Sequence, residues 1–197
     1  MNFLYKFTEK LKEYREISKV DEIARRCFAK NGFDGSLTIL GFLIGFYLAN
    51  VKNPIVIFTT GISTCIAMGI SGLWGAYLTE RSERISSIRE LEKATISDLS
   101  NTKIESAHKF AMIVVAIVDA VAPFVTALFS LIPFQFTKYL DIRTCYYISF
   151  ALTFTALFML GVFLGRISKE NLFISGMKMV IAGIVSILIS VLLLKNF

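Results

Sequence analysis

Two acidic residues stand at the edge of, or inside, long apolar runs of this chain. The first, Asp34, lies between Phe33 and Gly35 where an apolar run begins. If that run crosses a membrane, its carboxylate is expected to face a helix-bundle interior, a pore or a partner, because lipid does not solvate it. Asp-Gly also precedes many helices, so a helix N-cap at the interface is the alternative interpretation of Asp34.

The second acid, Asp119, lies in the run MIVVAIVDAVAPFV, four residues before Pro123. Counted from residue 110, it is roughly 14 Å along a spanning helix and close to the membrane midplane. Pro123 offers no N–H to the carbonyl of residue 119, so a kink is expected there. Asp119 is a candidate proton-coupling group. Alternatively, it is a protonated acid that hydrogen-bonds to a neighbouring helix, since burial raises a carboxyl pKa.

Sulfur atoms recur on one face of the second apolar run, where Cys65 and Gly72 lie one turn either side of Met68. Thioether sulfur suits soft or borderline transition metals. Methionine in an apolar helix is more often a filler of irregular gaps. Met68 is therefore either a soft metal ligand or part of the core.

A third group of carboxylates lies in the polar segment between the second and third apolar runs. Glu80, Glu83 and Glu90 fall on one side of a predicted helix by their i+3 and i+7 spacing. Neighbouring arginines can neutralise them, as on an ordinary solvated face. Glu105 and the sole histidine, His108, follow at the start of the next run.

The sequence does not indicate an enzyme. A Gly-rich phosphate loop, a Ser-His-Asp set, a CxxC pair and an HExxH sequence are all absent. The 3 cysteines lack metal-ligand spacing, and a disulfide framework is not expected. We therefore expect no permanently bound cofactor.

Composition indicates a polytopic membrane protein. The 197 residues are 55% hydrophobic and 18% charged, with a mean hydropathy of +0.64. The charged residues form blocks between long apolar runs. The basic residues behind the net charge of +6 flank those runs, as at a cytoplasmic membrane face, so nucleic-acid binding is not expected. We predict an all-α chain with five transmembrane helices at 33–51, 54–78, 110–134, 145–165 and 172–194.

The distribution of basic residues predicts the orientation. Of the 21 Lys and Arg residues, 17 lie before the first span, between spans two and three, or around the fourth-to-fifth connection, and 4 lie on the other side. The positive-inside rule then places the N-terminus in the cytoplasm. Either the cell membrane or an internal membrane satisfies this prediction.

The segments outside the spans predict a simple division of the chain. Residues 1–30 form an amphipathic helix over 2–28, which either lies on an anionic membrane surface or packs on the protein's own cytoplasmic part. Residues 31–79 form a transmembrane hairpin. Residues 80–109 form a charged, helical cytoplasmic segment into which the second span is expected to continue. Residues 110–197 hold the last three spans.

Several stretches resemble the vacuolar iron transporter family. ARRCFAKNGFDGSLTILGFLIGF resembles the entry to that family's first span, with Arg26 eight residues before Asp34. ISGLWGAYLTERSERISSIRELEKA is similar to its second span, which runs into a Ser- and Arg-containing cytoplasmic helix. AIVDAVAPFVTALFSLIPF and FMLGVFLGRISKENLFISGMKMVIAGIV resemble its third span and its fourth-to-fifth hairpin. The resemblance covers about residues 22–197.

The resemblance implies a homodimer that moves Fe(II) or Mn(II), its transported substrates, out of the cytoplasm in exchange for protons. Asp34 matches an aspartate that helps form a membrane metal site near the dimer axis, and Met68 is the candidate for the family's soft ligand. Release of the ion on protonation of Asp34 is chemically coherent. The positional candidates for a metal-collecting cytoplasmic domain are Glu80, Glu83, Glu90 and Glu105.

The chain departs from the family pattern at two places in the second span. When Gly72, Trp74 and Arg81 are aligned, Leu73 replaces the Glu of the family's Gly-Glu-Tyr stretch. On that register the family Met falls on Gly69, one residue or about 100° of helix from Met68. The cytoplasmic segment is also short for a metal-collecting domain.

Two rival functions stay open. In one, the chain is a membrane scaffold whose N-terminal helix and basic loop recruit a partner or anionic lipid. In the other, it transports a different substrate and Asp119 is the proton-coupled acid.

Overall fold

The computed structural model describes residues 2–96 and 102–194, and it is helical without strands over those residues. This confirms the all-α prediction for the described part of the chain. The elements in order are α1 (Asn2–Ser18), α2 (Val20–Leu48), α3 (Pro54–Thr95), α4 (Lys103–Leu131), a 3-10 helix (Ile132–Phe136), α5 (Ile142–Ser168) and α6 (Leu172–Leu194).

Within the described residues, four helices are long and apolar enough to cross a membrane, judged by length and composition. They are α3, α4 with the following 3-10 helix, α5 and α6, and they contain the predicted second to fifth spans. The helices are those of a polytopic membrane protein. A fifth span through α2 and the cytoplasmic N-terminus stay predictions.

The helix boundaries differ from the prediction near the N-terminus. The helix predicted over 2–28 is broken at Lys19, which has a φ of 49°, in the left-handed region. Residues 20–28 instead begin α2, which continues into the first apolar run. The N-cap interpretation of Asp34 is therefore wrong, because Asp34 lies inside α2 and 14 residues after the helix begins at Val20.

The second span does continue as one helix into the charged segment, as predicted. α3 is 42 residues long, and residues 76–95 contain neither Gly nor Pro to end it. The domain boundaries predicted at 30/31, 79/80 and 109/110 fall inside α2, α3 and α4.

The chain forms two compact units. Unit 1 comprises Met1–Cys27 and Ile70–Ala120. Its buried core is Val20 against Ala111 and Val115 of α4, with Ile23 and Phe110 packed around them. This small core fixes the start of α2 against α4 within the unit.

Unit 2 comprises Phe28–Gly69 and Val121–Phe197. Its core takes side chains from four helices and the 3-10 helix, and the fully buried ones include Ile39, Leu43, Ile57 and Leu131. α5 and α6 lie very close together, because a Cβ on Gly161 would be only 2.7 Å from the Cα of Gly176. Glycine at residue 161 is therefore required for this helix contact.

Candidate functional site

Asp34 lies on the exposed side of a helix whose opposite side is tightly packed within unit 2. Asp34 is exposed, whereas Gly35 and Ser36 are buried. A Cβ on Gly35 would be 2.5 Å from the Cα of Pro123, so the backbones of α2 and α4 are nearly in contact. Thr126 also donates a hydrogen bond to the carbonyl of Gly32 at 3.1 Å. These contacts fix the backbone that carries Asp34.

The Asp34 side of α2 is not covered by other parts of unit 2. Asp34, Thr38, Gly41, Gly45 and Leu48 recur at i, i+4, i+7, i+11 and i+14 and so share a stripe. None of the five is buried. A Cβ on Gly41 or Gly45 would have nothing within 4 Å. We call these five residues the Asp34 stripe.

Met68 packs against the core of unit 2. Cys65, one turn earlier, is fully buried in that core, and Met68 is half-buried against it. These contacts are those of a core residue. Across the described ranges, no group of three or more His, Cys, Asp or Glu side chains could hold a metal ion. A metal at Asp34 therefore needs ligands of another type or from another chain.

Two of the four candidate metal-collecting glutamates are engaged in ion pairs in unit 1. Glu80 accepts from Nε of Arg84 at 3.2 Å, and their side chains are only 17% and 11% exposed. Glu105 lies 2.6 Å from Nζ of Lys109. Glu83 and Glu90 are exposed on α3. A cation can therefore approach Glu83 and Glu90 freely but must displace a partner at Glu80 and Glu105.

Asp119 is half-buried in unit 1, beside Cys27 of α2. Burial, followed by the charge of Asp119 and a hydrogen bond to it, raises the pKa of the Cys27 thiol to about 11. The backbone around Asp119 is also crowded, because a Cβ on Gly72 would be 2.7 Å from the Asp119 carbonyl oxygen. Asp119 therefore has a hydrogen-bond partner, Cys27, on a neighbouring helix.

Sequence reasoning missed the Cys27–Asp119 pair and the surroundings of Arg84. Residues 27 and 119 are far apart in sequence, and a single Cys in a basic segment gives no metal-site signal. The Glu80-to-Arg84 spacing of i,i+4 did signal a possible pair. The spacing gave no sign that this pair would be largely buried.

Comparisons with known proteins support the resemblance seen in the sequence. The model of the VIT family matches residues 96–195. The chain is 30% identical over 179 residues to a protein of Methanocaldococcus jannaschii named "Uncharacterized protein MJ0645". That alignment covers 89% of this chain and 91% of the relative. The chain belongs to the VIT family.

Proposed function

We propose that the chain exports a divalent transition metal, Fe(II) or Mn(II), from the cytoplasm in exchange for protons, acting as a homodimer. Membership of the VIT family supports a membrane metal transporter. The observation that carries the finer proposal is the exposure of Asp34 at one end of the Asp34 stripe, where residues 33–48 of α2 carry no other charged side chain. An uncompensated carboxylate on such a stretch is costly unless it has a partner or a cation.

A second copy of the chain supplies that partner. The Asp34 stripe contains Gly41 and Gly45 with open space over both, and small residues let two helices approach closely. Around a two-fold axis the same stripe would face itself. Two Asp34 carboxylates would then offer oxygen ligands to one divalent ion. Met68 is the proposed soft ligand, which suits a borderline metal such as Fe(II).

Two acidic residues are proposed to couple metal transport to protons. Carboxylate ligands must be deprotonated to bind metal, so protonation of Asp34 on the far side favours release. Asp119, beside Cys27, is the second proposed proton-coupling group. The exposed Glu83 and Glu90 are the first proposed collectors of the ion. Glu80 and Glu105 join only if they exchange Arg84 and Lys109 for the metal.

The test is metal uptake into proteoliposomes that contain a metal-sensitive dye. Wild type is compared with Asp34→Asn for Fe(II), Mn(II), Co(II) and Zn(II). The control is Asp21→Asn, which removes another exposed carboxylate of α2. Asp21 forms an ion pair with Arg15 of α1. We expect Asp34→Asn to abolish Fe(II) or Mn(II) uptake and Asp21→Asn to preserve it. Folded wild-type protein that moves none of the ions contradicts transport and favours a scaffold.

Two further variants separate the proposed roles. Met68→Leu conserves volume, so a packing role leaves uptake unchanged, whereas a ligand role weakens uptake of the softer ion. Asp119→Asn is expected to reduce the dependence of uptake on a pH gradient. If Asp119→Asn abolishes uptake while Asp34→Asn leaves it intact, the transporter uses Asp119 for a different substrate.

A further inference from the structure

Unit 1 contains a cavity of about 550 Å³ lined by α3 and α4. Six polar side chains line it: Tyr77, Arg81 and Arg84 from α3, and Glu105, His108 and Lys109 from α4. The remaining lining is apolar and includes Ile85. The cavity therefore combines a polar, basic part with an apolar part.

The charge of the lining favours an anion over a divalent metal ion. Arg81, Arg84 and Lys109 supply three cations, and Glu105 is the single carboxylate of the lining. That carboxylate is already held by Lys109 at 2.6 Å. With Glu80 paired to Arg84 and Glu105 paired to Lys109, these groups retain a net charge of +1, which repels a divalent cation and attracts an anion.

Two buried nitrogens of the lining residues have no hydrogen-bond partner. In Arg84, Nε donates to Glu80 at 3.2 Å and Nη1 to the carbonyl of Ser18 at 3.4 Å, but Nη2 is buried and unpaired. His108 is only 9% exposed, and its Nδ1 is likewise buried and unpaired. Buried polar atoms in folded proteins almost always have a partner. Both residues line the cavity, so their unpaired nitrogens are candidates to bind a polar group that enters it.

We propose that this cavity binds a phosphate-bearing anion, either the headgroup of an anionic lipid or a soluble phosphate compound. A phosphate offers several oxygen acceptors, and guanidinium groups match their geometry. Arg81 and Lys109 are exposed, so they can receive the anion from outside. The largely buried Arg84 fixes the inner end through its bonds to Glu80 and Ser18.

The first experiment compares Arg81→Gln with Arg89→Gln in the purified full-length protein. Both arginines are exposed on α3, and Arg89 does not line the cavity. Equilibrium dialysis measures binding of radiolabelled inorganic phosphate. Native mass spectrometry measures retention of phosphatidic acid against phosphatidylcholine. Arg81→Gln removes one charge-assisted hydrogen bond, so its affinity for the anion is expected to fall about 10-fold or more. Arg89→Gln should bind the anion as the wild type does.

A second pair of variants tests the site by repulsion. Ile85 lines the cavity and is 40% exposed, whereas Leu91 on the same helix is 41% exposed and does not line it. Ile85→Glu should abolish binding of the anion, and Leu91→Glu should not. Both changes place a carboxylate at similar exposure, so a general effect of charge or folding affects them alike.

Each outcome decides the proposal. Binding of phosphate in dialysis that Arg81→Gln weakens identifies a soluble source, and selective retention of phosphatidic acid identifies a lipid source. Absence of binding in both arms overturns the proposal. It is also overturned if Arg81→Gln and Ile85→Glu bind as well as their controls, or if Mn(II) binds there and binds more tightly to Arg81→Gln.

Discussion

Replacement of Gly35 by alanine perturbs the backbone that carries Asp34 without touching its carboxylate. The added Cβ would lie 2.5 Å from the Cα, 2.7 Å from the carbonyl oxygen and 2.8 Å from the Cβ of Pro123. Carbon atoms in relaxed contact are about 3.5–4.0 Å apart, so α2 and α4 must separate by about 1 Å. The obstructing atoms are backbone atoms and the proline Cβ, which have no rotamer that relieves the clash.

The expected cost follows from two opposing terms. Overpacking of this kind costs about 1–3 kcal/mol. Alanine regains up to about 1 kcal/mol of helix propensity over glycine. The separation also stretches the 3.1 Å bond from Thr126 to the Gly32 carbonyl. Thr126 can fall back on the carbonyls of Ala122 and Pro123, so that loss is small. We expect Gly35→Ala to lower the free energy of unfolding by about 1–2 kcal/mol.

The assay is denaturant unfolding of purified protein in detergent micelles, with Gly45→Ala as the matched control on the same helix. A Cβ on Gly45 would have nothing within 4 Å, so the isolated chain should lose no stability from that change. Gly35→Ala that is as stable as the wild type would refute the packing argument. Metal uptake per folded molecule should also fall in Gly35→Ala, because Asp34 moves with the helix.

Three further predictions concern other parts of the chain. With a pKa of about 11, the Cys27 thiol should react slowly with N-ethylmaleimide at neutral pH. Because Asp119 raises that pKa, Asp119→Asn should shift the pH profile of the labelling rate to lower pH. Thr153, which donates to the carbonyl of Ser149 at 2.7 Å and bonds Ser130 at 2.9 Å, is fully buried. Thr153→Val should lower the free energy of unfolding by about 1 kcal/mol in the same micelle assay. The hydrogen bond from Lys178, then its charge, lowers the pKa of Glu170 from 4.5. The stabilisation of the folded state by the Glu170–Lys178 pair is present above pH 4.5 and is lost as the pH falls through the lowered pKa of Glu170. Acid should therefore destabilise the wild type more than Glu170→Gln.

The stability of Gly45→Ala also bears on the proposed homodimer. If a second chain covers the Asp34 stripe, the space over Gly41 and Gly45 is filled by that partner. Gly45→Ala would then weaken association while leaving the dissociated chain intact. A change in the monomer–dimer equilibrium, measured in micelles at several protein concentrations, would place the interface on this stripe.

Long periodic or apolar segments were predictable because many residues determine them together. The continuation of α3 into the charged segment followed from a run of helix formers without Gly or Pro over 76–95. The break between α1 and α2 was not predictable in this way. It depends on the single positive φ of Lys19, and the residue has neither the flexibility of glycine nor the fixed φ of proline to signal it.

The burial and the partners of individual side chains could not be predicted from the sequence, and this matters most for the acidic residues. Glu80 and Glu83 look equivalent by type and spacing, yet Glu80 is largely buried with Arg84 while Glu83 is exposed. The difference arises because the Arg84 guanidinium is also bonded to the carbonyl of Ser18, at the end of α1. Contacts of this range are set by tertiary packing.

These pairings divide the charged part of unit 1 into two kinds of surface. Glu80 neutralises one edge of the Arg84 guanidinium and leaves the Nη2 edge unpaired near the basic cavity. A metal ion that displaced Arg84 from Glu80 would leave a largely buried guanidinium without its carboxylate partner, and an unpaired buried charge is costly. Glu83 and Glu90 carry no such cost, because they are exposed. The proposed collection of a metal ion therefore fits the Glu83 and Glu90 side of α3, and the proposed anion site fits the Arg81 and Arg84 side.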